Sequence, residues 1–397
     1  MTARPMRGRT LLAGSLAAFT AAAGLVAGVT GPAAADPSTG LAGVGSATTQ
    51  YVMDAIATSI GLGYVGSWDA VDPATGAVLG VIQPKPGCTM TRPNSSATGI
   101  AALRKSINPN TTAPQLSDPP EAGCVDFARS GLPPSAADVS ANGGLIYMPF
   151  GLDGIAVATG PSTAVTGTDP AVATAIVNAD QFTVANLRTL YRTCGSVTVG
   201  GVTYTPDGTV TDATHQPVHL YLPGAGTDTA LFWAQTFAFN ASSPPSCIHR
   251  QIVGTSTNVD EGDGAVLAAD PTALCPFPIA EWISQNRGHH DKRHNAVLRA
   301  MVDSNGVSQP ARLGSGVLNA QFPVRHEVYN VVSYNQLAGP DKNALVASVF
   351  GASSGVCSNS AQILSYGFGL LASAPLGHTC GQIASDLRAL DPSFNPV

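Results

Sequence analysis

The feature that most constrains this chain is a unit met three times: a strand-like apolar run, a turn of small residues, and a helix-like run. In "LAGVGSATTQYVMDAIATSI", residues 41–60, Val52, Ala55, Ile56 and Ile60 recur at three- and four-residue spacing, which predicts one buried helical face. "NSSATGI" opens a second such helix, and "PVHLYLPGAGTDTALFWAQTF" repeats the pattern a third time. "TVANLRTLYRTC" reads as an amphipathic helix capped by Thr183. "CVDFARS", "HEVYNVVSY" and "ALVASVF" read as strands, and "GLIYMPFGLDGIAVATG" as two strand-like runs broken by Pro149. Strands alternating with helices predict an α/β fold built mainly on parallel sheet.

The start of the chain places that fold outside the cell. Arg4, Arg7 and Arg9 precede an apolar Ala- and Gly-rich stretch, and "AAADP" gives a small-residue cleavage pattern after Ala35. Residues 1–35 are therefore expected to be a signal peptide, with secretion or cell-wall association and no membrane insertion after its removal. Their loss takes three positive charges from a chain already at −6. A net acidic surface does not attract nucleic acid or an anionic membrane. Export also makes disulfides the expected use of the seven cysteines. Cys88 with Cys124 and Cys357 with Cys380 are the expected pairs. One further pair is expected among Cys194, Cys247 and Cys275, leaving an odd thiol.

Each turn in the recurring unit ends at a helix start that carries hydrogen-bonding groups. They are Ser46, Thr48 and Thr49 in the first, Asn94, Ser95 and Ser96 in the second, and Thr227 after Gly224 and Gly226 in the third. A helix start leaves backbone N–H groups unpaired and carries partial positive charge. Small residues let a ligand approach that backbone, and hydroxyls add donors without bulk. Such residues also cap helices routinely. Three such turns plus "DFARS", with Arg129 and Ser130, shift the balance towards an oxyanion site.

The order "GVGSATTQ", "RPNSSATGI", "CVDFARS", "YMPFGLDGIAVA", "LRTLYRTC", "LPGAGTDTALFW", "EGDGA" and "VYNVV" resembles the periplasmic phosphate-binding proteins of ABC transporters, and a secreted, disulfide-bearing bacterial branch of them in particular. The resemblance runs from about residue 41 to 370. It implies two α/β lobes, 36–152 with 323–397 and 153–322, joined by a hinge of two crossing strands. It implies a ligand set of Ser46, Thr48, Thr49, Asn94, Ser95, Ser96, Arg129, Ser130, Gly224, Gly226 and Thr227, with Ser95 and Ser96 donating and Thr227 facing Ser46 and Ser95 across the cleft. Two positions depart from the family. Tyr221 or Leu222 stands where an arginine is usual, and Gly131 replaces the aspartate that accepts the phosphate proton. Both losses weaken phosphate as the ligand, with Arg129 as a compensating charge.

Enzyme readings are less well supported. "GASSG", residues 351–355, matches a nucleophile elbow, but no Asp or Glu lies between Ser354 and Gly377 to precede His378. "HHDKRH" offers His290 and His294 as metal ligands without a nearby third, and "EGDGA" offers Glu261 and Asp263 without a second acidic cluster. The expected function is thus a secreted, monomeric solute-binding protein without cofactor, holding phosphate or another oxyanion and serving an ABC permease. The alternative is a cell-surface interaction or adhesion protein that keeps the fold without a ligand.

Overall fold

A computed structural model describes residues 40–390 except 73–77, 79, 111, 113–114, 162–175, 177, 210–211 and 213. The expected signal peptide lies outside the described residues. The described residues form one compact unit.

The sheet begins with β1 (Leu41–Gly45) and β2 (Val65–Ser67), while β3 (Val81–Ile82) and β4 (Met90–Thr91) pair separately from it. Next come β5 (Phe127–Ser130) and β6 (Leu145–Thr159), then β7 (Val197–Val199), β8 (Val202–Pro206), β9 (His215–Tyr221) and β10 (Ile248–His249). It continues through β11 (Ala273–Pro278), β12 (Val297–Leu298) and the separate hairpin of β13 (Met301–Val302) and β14 (Ser308–Gln309). The last strands are β15 (Arg325–Ser333) and β16 (Arg388–Ala389). The main sheet runs in the order β2-β1-β5-β15-β6-β11-β9-β8-β7.

The α/β class is as expected, and the sheet is mixed in a regular way. Its flanks are parallel, β2 with β1 and β1 with β5 on one side, β11 with β9 and β9 with β8 on the other. Its centre is antiparallel, where β15 lies between β5 and β6 and β11 joins the far half of β6. Parallel neighbours need a helical crossover, and the flanks are where the strand–turn–helix units sit.

β6 corrects one expectation. The two runs on either side of Pro149 are a single fully buried strand. Proline lacks the ladder N–H and is tolerated at a bulge. The register to β15 shifts there, with Val328 opposite Gly151 and Tyr329 opposite Pro149. "ALVASVF" corrects another. It is a helix, because Val346, Val349 and Phe350 all face inwards at helical spacing.

Three buried apolar clusters flank this sheet. One joins Leu152 and Ile155 to Trp233, Phe277 and Phe322, with Tyr191, Trp233 and Phe237 in edge-on and stacked aromatic contact. The second contains Val52, Ile56, Phe127, Phe150 and Phe350, and the third Leu103, Val125, Tyr147 and Tyr329. Disulfides join Cys88 to Cys124, Cys194 to Cys247 and Cys357 to Cys380, while Cys275 is a buried free thiol.

Where the clusters meet, Asp153 of β6 is fully buried opposite His326 of β15. Its Oδ1 accepts from the Gly154 and Ala280 amides, at 2.7 and 2.9 Å, while its Oδ2 is buried without a partner among the described residues. Burial pushes the Asp153 carboxyl up to about 7, against the pull of those two amides. Burial likewise lowers neighbouring His326 to about 3, so its ring is neutral.

A folded-state carboxyl raised in this way contributes stability when protonated and loses it as pH rises. Asp153 should therefore give a decline in unfolding free energy between about pH 4 and pH 7. Urea denaturation of Asp153→Asn across that window should show a flatter profile. An unchanged slope would remove Asp153 as its source.

Candidate functional site

Three chain turns converge at the β1–β5 end of the sheet. The first leaves β1 at Gly45, whose φ of 124° and close approach to Arg129 and Gly99 leave no room for a side chain. Ser46 follows and leads into α1 (Gln50–Ile60). The second turn enters α2 (Ser96–Ile107), packed so tightly on β1 that a Cβ on Gly99 would fall 2.5 Å from Gly45 Cα. The third leaves β5 at Ser130 and Gly131.

These turns enclose a carboxylate that belongs to the chain itself. Asp228, the first residue of α4 (Asp228–Phe237), is 4% exposed. Its Oδ2 accepts from Ser46 Oγ at 2.5 Å, Ser96 Oγ at 2.7 Å and the Gly131 amide at 3.3 Å. Its Oδ1 accepts from the Ser96 amide at 3.2 Å. The Gly131 amide also donates to Ser96 Oγ at 2.9 Å, which orients that hydroxyl towards the acid. Two hydroxyls and two amides at helix and strand ends are the donor set a desolvated oxyanion requires.

Gly131 makes this contact sterically feasible. A Cβ there would lie 2.8 Å from Asp228 Oδ2. Where the resembling family has an acid after "DF-x-x-S", this chain has no side chain, and an acid enters from α4 instead.

The structure distributes the expected ligand residues unevenly. Ser46 and Ser96 are in the pocket. Ser95 is not, because its Oγ caps α2 by accepting from the Thr98 amide, and the Thr98 hydroxyl accepts from the Ser95 and Asn94 amides. Ser130 Oγ turns back to its own loop, donating to the Leu132 carbonyl. Thr48 and Thr49 carry buried hydroxyls without partners among the described residues. Thr227 lines an open groove together with Ser95. Its hydroxyl donates to the Gly224 carbonyl and caps α4 at the Ala230 amide. Gly224, Gly226 and Asn94 line the same groove.

Arg129 answers the question of charge compensation in the negative. Its fully buried guanidinium donates to the carbonyls of Gly45, Ser46 and Trp68 and to Ser67 Oγ, at 2.7–3.2 Å. Behind it, burial and the charge of Asp69 push the Asp54 carboxyl well up, while Arg129 pulls it down. The arginine thus shapes the first turn from behind. Tyr221 also lies away from the pocket, with its hydroxyl donating to Asp270 at 2.7 Å.

Beside the pocket lies a cavity of about 70 Å³ lined by Thr48, Gln50, Tyr51, Glu261, Glu281 and His290. Glu261 of "EGDGA" accepts the Thr229 amide at 2.8 Å, so it steadies the first turn of α4. Burial, and then the charge of Asp228, push the Glu261 carboxyl up. Burial also raises Glu281, which accepts from Gln285.

The enzyme-like motifs are absorbed by structure. "GASSG" connects two helices, α8 (Ala344–Phe350) and α9 (Gly355–Ser358), with Ser354 capping the latter, whereas a nucleophile elbow follows a strand. His290 stacks on Tyr51 at 4.4 Å, and His294 approaches Asp263 at 3.5 Å. Among the described residues no cluster of three or more His, Cys, Asp or Glu is placed to hold a metal ion, and no helix is long and apolar enough to cross a membrane.

No protein-family model and no curated protein matches this chain. Among solved structures it is similar to an ABC-type phosphate transport receptor from Vibrio cholerae, at 13% identity and a TM-score of 0.46, covering 83% of this chain and 99% of that one. A possible phosphate binding protein from Planctomyces limnophilus is similar at 11% identity and a TM-score of 0.42, covering 85% and 95%. A human phosphate binding apolipoprotein is similar at 14% identity and a TM-score of 0.41, covering 84% and 92%.

Arg129 gives a direct prediction. Arg129→Met leaves three loop carbonyls buried without their donor, and should cost about 3 kcal/mol or more in urea denaturation. A loss under about 1 kcal/mol would show that the turn holds itself.

Proposed function

We propose that this is a secreted solute-binding protein that takes an oxyanion between two lobes, at the turn formed by Ser46, Ser96 and Gly131. One observation carries the reading: four donors from three separate turns converge on a single buried carboxylate. Donors placed so closely can be left unpaired only at a cost, so the pocket is built for negative charge.

The lobes of this reading are 36–152 with 323–397 and 153–322, with β6 and β15 as the crossing strands. The composition of the apolar clusters supports that division. The cluster around Trp233 draws its residues from 152–324 together with Leu371, and the other two draw theirs from 41–150 and 328–389 together with Ala280. The helix α4 belongs to the former, and the turns that hold Asp228 border the latter. Three disulfides fit action in an oxidising compartment after export. Inorganic phosphate is one ligand to test, and an ABC permease the partner such a protein would serve.

A second reading is favoured by one feature of the same pocket. The donors given to the Asp228 carboxylate are hydroxyls and backbone amides, and the chain's own acid fills the place of a ligand. A protein that never releases that acid would use the fold as an interaction surface.

Calorimetric titration with phosphate, sulfate and a phosphate monoester should reveal saturable binding of at least one oxyanion by the exported chain. Ser96→Ala should weaken it by about 1.5–3 kcal/mol, roughly tenfold to a hundredfold, the worth of a hydrogen bond to a charged group. Flat titrations for all three would favour the interaction-protein reading.

A further inference from the structure

We propose that Asp228 is an internal ligand: in the closed form its carboxylate occupies the oxyanion pocket, and a solute enters only by displacing it. The proposal rests on the oxyanion-site reading above and adds its regulation.

Three observations support it. First, the acid and its donors come from opposite sides of the proposed cleft. Ser46, Ser96 and Gly131 follow β1, open α2 and follow β5, whereas α4 is anchored by Trp233 and Phe237 in the other apolar cluster. Second, the acid is held as a ligand is held, 4% exposed and accepting four hydrogen bonds, although an acid in the first turn of a helix is ordinarily stabilised on the surface by its own helix. Third, the space it fills exists because residue 131 has no side chain.

The consequence is competition. A carboxylate and an incoming oxyanion carry the same sign and need the same donors, so they cannot share the pocket. With Glu261 half-buried nearby and accepting the Thr229 amide, the side of the cleft that carries α4 is already acidic. Solute binding is then an exchange of one anion for another, coupled to withdrawal of the α4 end from the three turns. Affinity is reduced by the fraction of molecules in which Asp228 holds the pocket.

The test removes the internal ligand and offers a substitute. Asp228→Ala keeps the α4 cap, since Thr227 caps it. Gly131→Ala is the second variant, because its added Cβ would meet the carboxylate. Parent and variants, as exported full-length chains, are titrated with phosphate and sulfate by calorimetry, and their thermal midpoints are followed in rising formate and acetate.

The proposal expects phosphate or sulfate to bind Asp228→Ala at least tenfold more tightly than the parent, and Gly131→Ala to bind them more weakly than Asp228→Ala, because its added Cβ intrudes on whichever anion holds the pocket. It also expects formate or acetate to raise the midpoint of Asp228→Ala and to leave the parent unchanged. Equal anion affinity in parent and variants, with no carboxylate rescue, overturns the internal ligand while leaving the oxyanion site intact. Rescue by formate without binding of phosphate or sulfate in any variant keeps the internal ligand and removes the solute-binding reading. No anion effect on any variant overturns both.

Discussion

A carboxylate removed from water must recover, from fixed donors, most of what hydration gave it. Asp228 does so through Ser46, Ser96 and Gly131, and this contact ties the start of α4 to the three turns. The donors are in place because β1, α2 and β5 pack through glycine, with Gly45 against Gly99. The first turn keeps its shape because Arg129 grips its carbonyls from behind. On the other side, Thr227 and Glu261 fix the first turn of α4, so the acid arrives at a defined position.

The turns around Asp228 contribute hydroxyls and amides, and Glu261 lies close to both Asp228 and Glu281 with its carboxyl pushed up. The cation that sequence reasoning assigned to the ligand is committed to backbone carbonyls and lies close to the buried acids Asp54 and Asp69. In the proposed pocket an oxyanion would meet aligned dipoles, with Asp228 as its competitor.

Much of this arrangement was legible in the sequence, and the gaps have physical causes. The helix starts at Gln50, Ser96, Val184 and Asp228 were readable because capping residues precede periodic apolar faces. Ser46 and Ser96, whose hydroxyls donate to Asp228, carry the same signal as Ser95, since a hydroxyl that caps and one that meets a buried acid look alike in sequence. Asp228 was missed because an acid in a first helical turn already has a local explanation. The signal that could have found it is paired: an acid missing at Gly131 and one present after "GAGT". Pro149 masked the continuity of β6, as a bulge depends on the partner strand's register. "ALVASVF" is β-branched enough to read as a strand and is helical because its inward residues recur every three or four positions.

The most direct test of the account is a crystal structure of the protein grown without phosphate, sulfate or carboxylate in the solution. The account predicts the Asp228 carboxylate within hydrogen-bonding distance of Ser46 Oγ, Ser96 Oγ and the Gly131 amide, with Arg129 turned towards the carbonyls of Gly45 and Ser46. Water between the three turns, with Asp228 directed into solvent and the α4 end apart from Gly131, would contradict it.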